Sequence, residues 1–174
     1  QMYIDNSMSS SVFFGKRVIN VSSVRGCPYD CIFCLHPFGR KVYTRSTKGL
    51  VGEIQELKKR YGIQFITSTD DLFLLNREWV VDFCDRMISD KVNVGWSVAG
   101  RVNLVNDALL KKMYLAGCRE ISYGFESGSQ VMLDRMKKRG VTVKQAEKAV
   151  EMTRNAKIEV RGSFIFGMPG ETRE

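Results

Sequence analysis

Residues 17–34 read Arg17-Val18-Ile19-Asn20-Val21-Ser22-Ser23-Val24-Arg25-Gly26-Cys27-Pro28-Tyr29-Asp30-Cys31-Ile32-Phe33-Cys34, and the rest of the chain repeats the plan of this stretch. Its apolar, β-branched start predicts a strand over 17–23. The strand runs into a loop with three cysteines spaced CxxxCxxC. A short strand that ends in chemically active side chains resembles the C-terminal rim of a parallel α/β sheet, where active sites gather.

Downstream the alternation continues. Leu50, Val51, Ile54, Leu57 and Tyr61 share one face of a helix predicted over 47–61. A strand follows at 63–67. Val80, Phe83 and Met87 point inward from a helix over 77–89, and the next strand spans 92–98. Asn106 N-caps a helix that runs to Ala116 and that Gly117 closes. A strand at 119–125 and a short helix near 131–136 come next. Thr142 and Gln145 make a capping box for a helix ending near Lys157. The last strand covers 158–166, and Pro169 and Glu171 mark a further helix start. Five strand–helix units predict a parallel sheet with right-handed crossovers, either open and doubly wound or part of a βα barrel.

The rim rule supplies an internal check. Cys27, Cys31 and Cys34 follow the first strand, and Ser68-Thr69-Asp70-Asp71 the second. Ser97 and Arg101 follow the third, Glu126-Ser127-Gly128-Ser129 the fourth, and Gly167-Met168-Pro169-Gly170-Glu171 the fifth. Every strand end carries polar, glycine-rich or metal-binding groups, which describes one contiguous site on one rim.

With 174 residues, 44% of them hydrophobic and 26% charged, the chain is sized for one domain with a buried core. Residues 1–15 read as an irregular lead-in and 16–174 as the core domain. No apolar run reaches the roughly 18 residues of a membrane span. Asp5, Asn6 and several serines interrupt the N-terminal apolar residues, so no signal peptide is expected and the expected location is cytoplasmic. The net charge of +8 permits a nucleic-acid partner. However, Lys58-Lys59-Arg60, Lys111-Lys112 and Lys137-Lys138-Arg139 are dispersed and lack interleaved aromatics, which suits the solvated faces and ends of helices.

Five cysteines are an odd number, and three crowd into one loop, unlike a disulfide scaffold. Thiolates are the usual ligands of iron–sulfur clusters, and three of them leave one iron of a cube open to chelate a small molecule. The competing reading adds His36 to make a Cys₃His zinc set, at an unusual spacing. Cys84 and Cys118 fall on core-facing positions. His36 is the only histidine, which weighs against a Ser-His-Asp triad or a His-rich metal site.

At this point the sequence resembles a known family. CxxxCxxC with an aromatic before the last cysteine is similar to the signature loop of radical S-adenosylmethionine (radical SAM) enzymes, and the likeness runs from about Arg25 to Glu171. Asp70-Asp71-Leu72-Phe73, Trp96 through Arg101, Gly124-Phe125-Glu126-Ser127-Gly128 and Phe164 through Thr172 resemble successive motifs of one large branch. That branch holds cobalamin-dependent radical methyltransferases and the anaerobic magnesium-protoporphyrin ester cyclase. The resemblance implies a partial (βα) barrel with about five of six units present, so the core reads as C-terminally incomplete. It implies a [4Fe–4S] cluster on Cys27, Cys31 and Cys34, and reductive cleavage of S-adenosylmethionine to a 5′-deoxyadenosyl radical. That radical would abstract hydrogen from a small-molecule substrate or serve methyl transfer to it. An electron donor such as flavodoxin or ferredoxin is implied too, and cobalamin through a domain absent from this chain.

The same resemblance assigns cofactor-binding residues. Phe33 lies near the adenine, Asp70 and Asp71 meet the methionine ammonium, and Arg101, with Ser97 on the same segment, meets the carboxylate. Glu126 and Ser127 approach the ribose or amino group, and Ile165 and Gly167 flank the adenine. The plainer readings are core packing for Phe33, helix capping for Asp70, Asp71 and Ser127, a surface position for Arg101 and a turn for Gly167. A methylthiotransferase acting on tRNA or protein keeps the radical chemistry. A zinc-stabilised basic RNA-binding module does not.

Metal analysis separates these readings. Anaerobic reconstitution is expected to give about four irons per chain with matching sulfide. Alanine at Cys27, Cys31 or Cys34 abolishes assembly, whereas Cys84→Ala and Cys118→Ala keep the iron at a modest stability loss. Colourless protein with stoichiometric zinc would refute the cluster.

Overall fold

The computed structural model describes residues 15–172, so the expected lead-in falls, but for Gly15, outside the described residues. In chain order the elements are β1 (Val18–Val21), β2 (Val24–Arg25), β3 (Tyr43–Thr44), α1 (Thr47–Tyr61), β4 (Phe65–Ser68) and α2 (Arg77–Ser89). Then come β5 (Gly95–Gly100), a 3-10 turn (Val102–Leu104), α3 (Asp107–Leu115), β6 (Cys118–Glu126), α4 (Gln130–Arg135), α5 (Val143–Asn155) and β7 (Glu159–Phe164). Local chemistry explains the helix ends. Ser46, Asn76 and Asn106 cap α1, α2 and α3 through their side chains, and Thr142 with Gln145 closes the capping box of α5. Gly62 ends α1 in the left-handed conformation at φ 62°.

The main sheet has the order β1-β4-β5-β6-β7, with every neighbouring pair parallel. Strand order follows chain order without reversal. A doubly wound sheet reverses at a switch point. Its absence, with right-handed crossovers, places all helices on one face. The helix contacts agree, since α1 packs on α2, α2 on α3 and α3 on α5. The barrel alternative is therefore the correct one, and the strands form part of a (βα) barrel. Among the described residues no helix is long and apolar enough to cross a membrane.

The core lies between sheet and helices. Phe83 sits edge-on to Phe73 and Trp96, at centroid distances of 5.6 and 5.4 Å. The Trp96 indole donates to Ala116 O at 2.9 Å, so its polar edge is satisfied inside. Cys84 and Cys118 are fully buried, as expected. Burial pushes the Cys84 thiol up to about 12 and the Cys118 thiol well above its ordinary value, which keeps both inert.

Two departures from the expected elements matter. Lys91 and Asn93 both take left-handed φ values of 49°, so the chain turns there and β5 begins at Gly95 rather than at 92. Because β5 then runs to Gly100, Ser97 falls in mid-strand. It is buried and lines a small internal void with Val21, Ser23 and Leu50, not the rim. The two-residue strands β2 and β3 pair antiparallel as a separate ribbon, too short to leave any periodicity in the sequence. Among the described residues the outer strand β7 has only β6 beside it, and Phe164 is 53% exposed.

Tyr123 ties β6 to α5. Thr153 donates its hydroxyl proton to Ala149 O at 2.6 Å, so the Tyr123 hydroxyl must donate to Thr153 Oγ1 at 2.9 Å. Tyr123→Phe removes this buried bond and is expected to cost about 1 kcal/mol. Thermal unfolding should register it as a Tm lower by roughly 2–4 °C.

Candidate functional site

The cysteine loop is the excursion between β2 and β3. The ribbon pairs Val24 with Thr44 and Arg25 with Tyr43, which pins both ends of the loop. Gly26 turns the chain at φ 87°, where a Cβ would collide with the Lys41 carbonyl. Cys27 N then donates to Gly39 O at 3.2 Å and closes the loop on itself.

Two carboxylates at the end of β4 hold this loop to the sheet. Asp70 is buried, and its Oδ1 accepts from Ser23 N at 2.5 Å and Val24 N at 2.8 Å. Its Oδ2 accepts from the Ser23 hydroxyl. Asp71 Oδ2 accepts from Gly26 N at 2.7 Å, the residue before the first cysteine. Neither caps a helix, since Asn76 caps α2. These carboxylates brace the cysteine loop.

Arg101 is buried rather than on the surface. Its guanidinium stacks on the Tyr29 ring at 3.7 Å, donates to Asn103 Oδ1 at 3.1 Å and reaches Cys31 Sγ at 3.7 Å. A further N–H donates to Arg139 O. The fork expected to meet a carboxylate is thus spent on the cysteine loop and its surroundings.

The three thiols are unpaired, with Cys31 buried, Cys27 half-buried and Cys34 exposed. Burial raises the Cys27 thiol. A backbone hydrogen bond at Tyr29 opposes this, Cys34 and Cys31 add to it, and Arg101 lowers it. The thiols therefore sense one another. Yet among the described residues no three His, Cys, Asp or Glu side chains converge on a single ion. Three thiols carried on one loop are the chemical donor type that iron–sulfur clusters take. In the zinc reading His36 would have to be released from the backbone, because its Nδ1 and Nε2 lie 2.8 and 2.6 Å from the carbonyl oxygens of Cys34 and Tyr29.

A cavity of about 1320 Å³ opens between the end of β6 and the segment after β7. Glu126, Ser127, Ile165 and Gly167 all line it, so four of the expected cofactor residues meet in one place. Glu126 is buried and pairs with Lys138 Nζ at 2.7 Å, and Ile165 N donates to Glu126 O at 2.9 Å. Ser127 Oγ accepts from Ser129 N at 3.1 Å, so it supports the turn into α4 without capping that helix. Gly167, at φ 83°, is held by the Glu171 carboxylate, which also accepts from Met168 N at 3.2 Å. Phe33 is half-buried, with its ring against Lys138 Nζ at 5.4 Å.

Lys138 is the residue that sequence reasoning missed. It read as part of a solvated basic run, and the fold buries it. The signal is hidden because α4 ends in a Schellman motif without glycine. Lys137 is left-handed at φ 52°, with Lys138 N bonded to Leu133 O at 3.0 Å and Lys137 N to Asp134 O at 3.0 Å. That turn sends Lys138 inward.

Comparisons with known proteins bear on the family. The model of the Radical SAM superfamily matches residues 21–174. The chain is 35% identical over 173 residues to an uncharacterized methyltransferase of Pyrococcus horikoshii, covering 98% of this chain and 37% of that protein. It is 35% identical over 167 residues to the anaerobic magnesium-protoporphyrin IX monomethyl ester cyclase of Cereibacter sphaeroides, covering 92% of this chain and 27% of that one. Among solved structures, the radical S-adenosylmethionine methyltransferase TsrM from Kitasatospora setae, with cobalamin and a [4Fe-4S] cluster bound, superposes with a TM-score of 0.81 at 21% identity, covering 90% of this chain and 32% of that one. The chain therefore spans little more than a third of these proteins' lengths at most.

Asp70→Ala would orphan two backbone N–H groups and a hydroxyl in a buried site. The expected outcome is a loss of about 3 kcal/mol or more in denaturant unfolding, with reduced iron per chain after reconstitution. Full iron loading at native stability would show that the loop holds its shape without this brace.

Proposed function

The chain belongs to the radical SAM superfamily, and on that premise we propose that Cys27, Cys31 and Cys34 hold its [4Fe–4S] cluster and that S-adenosylmethionine occupies the adjoining cavity. The observation that carries this reading is the meeting of Glu126, Ser127, Ile165 and Gly167 around one cavity, which Lys138 joins to the cysteine loop by pairing with Glu126 and lying over Phe33. When bound, the two groups supply one-electron cleavage of the sulfonium and a 5′-deoxyadenosyl radical for hydrogen abstraction or methyl transfer.

The protein's own part is binding, orientation and exclusion of water. Asp70 and Asp71 fix the height of the cysteine loop above the sheet. Arg101 carries positive charge and an N–H to Cys31, which favours the reduced, more negative state of a thiolate-bound cluster. Glu126 offers the cavity a carboxylate that accepts from cofactor hydroxyl or ammonium groups. Ile165 supplies an apolar wall, and the bare backbone at Gly167 allows close approach of a planar base.

The substrate class we favour is a small molecule, as the name of the magnesium-protoporphyrin ester cyclase relative states for that enzyme, with cobalamin as a further group, as bound in TsrM. Nucleic acid is less favoured because several lysines are already engaged. Lys58 donates to Val92 O at 2.7 Å, Lys112 pairs with Asp85 at 2.6 Å, and Lys138 is buried with Glu126. A flavodoxin or ferredoxin fits the need for a low-potential electron donor.

Glu126→Gln provides the test. The variant is expected to keep its iron and to bind S-adenosylmethionine more weakly by about 1–3 kcal/mol, the scale of a lost charged hydrogen bond. Equilibrium dialysis against the reconstituted protein measures it. Unchanged affinity would remove Glu126 from the cofactor site.

A further inference from the structure

Lys138 and Glu126 form a buried ion pair whose side chains are 7% and 10% exposed. Such pairs contribute little net stability, because desolvation offsets much of their attraction. The surroundings show that the arrangement is nonetheless specified. Glu126 adopts φ 66°, a conformation that costs a non-glycine residue energy. Across it Ser127 N donates to Phe125 O at 2.9 Å, a tight three-residue turn. A Cβ on Gly124 would collide with the Glu126 carboxylate and come within 3.2 Å of Lys138 Nζ. The backbone is bent, and a side chain omitted, where this carboxylate meets this ammonium.

The pair also joins the two halves of the site. Glu126 lines the cavity, while the residues around Lys138 grip the cysteine loop. Met136 O accepts from Ile32 N at 3.1 Å, and Arg139 stands 3.6 Å from Asp30. Lys138 itself lies over Phe33, one residue before Cys34. Its ammonium takes Glu126 Oε1, and no described residue donates to Oε2.

We infer that Lys138 is a positioning residue for S-adenosylmethionine: by holding Oε1 it fixes Glu126 so that Oε2 faces the cofactor, and it sets that carboxylate in register with the cysteine loop. This rests on the reading of Glu126 as a cofactor-facing group. Lys138 need not touch the cofactor, because it acts through the acid it orients.

The test uses the reconstituted protein and the variants Lys138→Met, Lys138→Arg, Glu126→Gln and the double variant Lys138→Met/Glu126→Gln. Iron per chain, the dissociation constant for S-adenosylmethionine, and the change in the electron paramagnetic resonance spectrum of the reduced cluster on adding it are measured. Lys138→Met is expected to keep its iron, to bind about tenfold more weakly and to show a diminished spectral change. Lys138→Arg restores most of both. In the Glu126→Gln background, Lys138→Met changes affinity by no more than about twofold, because nothing remains to be positioned. Wild-type affinity in Lys138→Met with weakened Glu126→Gln overturns the inference and leaves the reading of Glu126 standing. Wild-type affinity in Glu126→Gln overturns both. If Lys138→Met alone unfolds or loses iron, the double variant decides, since it leaves no orphaned charge. Loss of iron there too makes Lys138 a structural brace and overturns the inference.

Discussion

The Asp70 carboxylate accepts hydrogen bonds from Ser23 N, Val24 N and the Ser23 hydroxyl, and the geometry of the rim depends on this contact. A buried carboxylate is tolerated only where donors surround it. Here the donors come from the turn between β1 and β2, so the acid that ends β4 dictates where the neighbouring strand releases its chain. Asp71 extends the hold to Gly26, one residue before Cys27. The long loop that carries the cysteines is thereby anchored at its root. Its cysteines then stand over the sheet at a height set by rigid strands.

From that anchor the site divides into two halves that share a seam. One half is the cysteine loop, gripped by Arg101 through Tyr29 and Cys31. The other is the cavity between the ends of β6 and β7. The seam is the connector from α4 to α5, whose Met136, Lys138 and Arg139 touch the loop while Lys138 also reaches Glu126. Arginine and lysine divide the work by their chemistry. The planar fork of Arg101 stacks and donates to several acceptors at once, and the compact ammonium of Lys138 serves one carboxylate. Glu126, the cavity residue that Lys138 holds, has a left-handed backbone at φ 66°.

The scaffold beneath explains why a short chain can support this. Strand order equal to chain order keeps all helices on one face and leaves the strand ends free to carry loops. The interlocked rings of Phe73, Phe83 and Trp96 fill the space between sheet and helices. The sheet is much less protected at β7, where Phe164 and Phe166 remain largely exposed.

Helix positions and the five parallel strands were legible in the sequence, because periodicity and caps are local properties of the chain. Asn106, Thr142 and Gln145 did what their chemistry dictates at helix starts. So did the gathering of Glu126, Ser127, Ile165 and Gly167, since parallel strands put their ends on one rim. The tertiary structure alone decided what each polar group pairs with. Asp70 finds its donors 46 and 47 residues away, Arg101 finds Cys31 70 residues away, and Ser97 falls inside the sheet because two left-handed residues delay β5. Lys138 carries the clearest lesson. A lysine in a basic run belongs in water by every local rule, and only the turn at Lys137 and the space left by Gly124 bring it to Glu126.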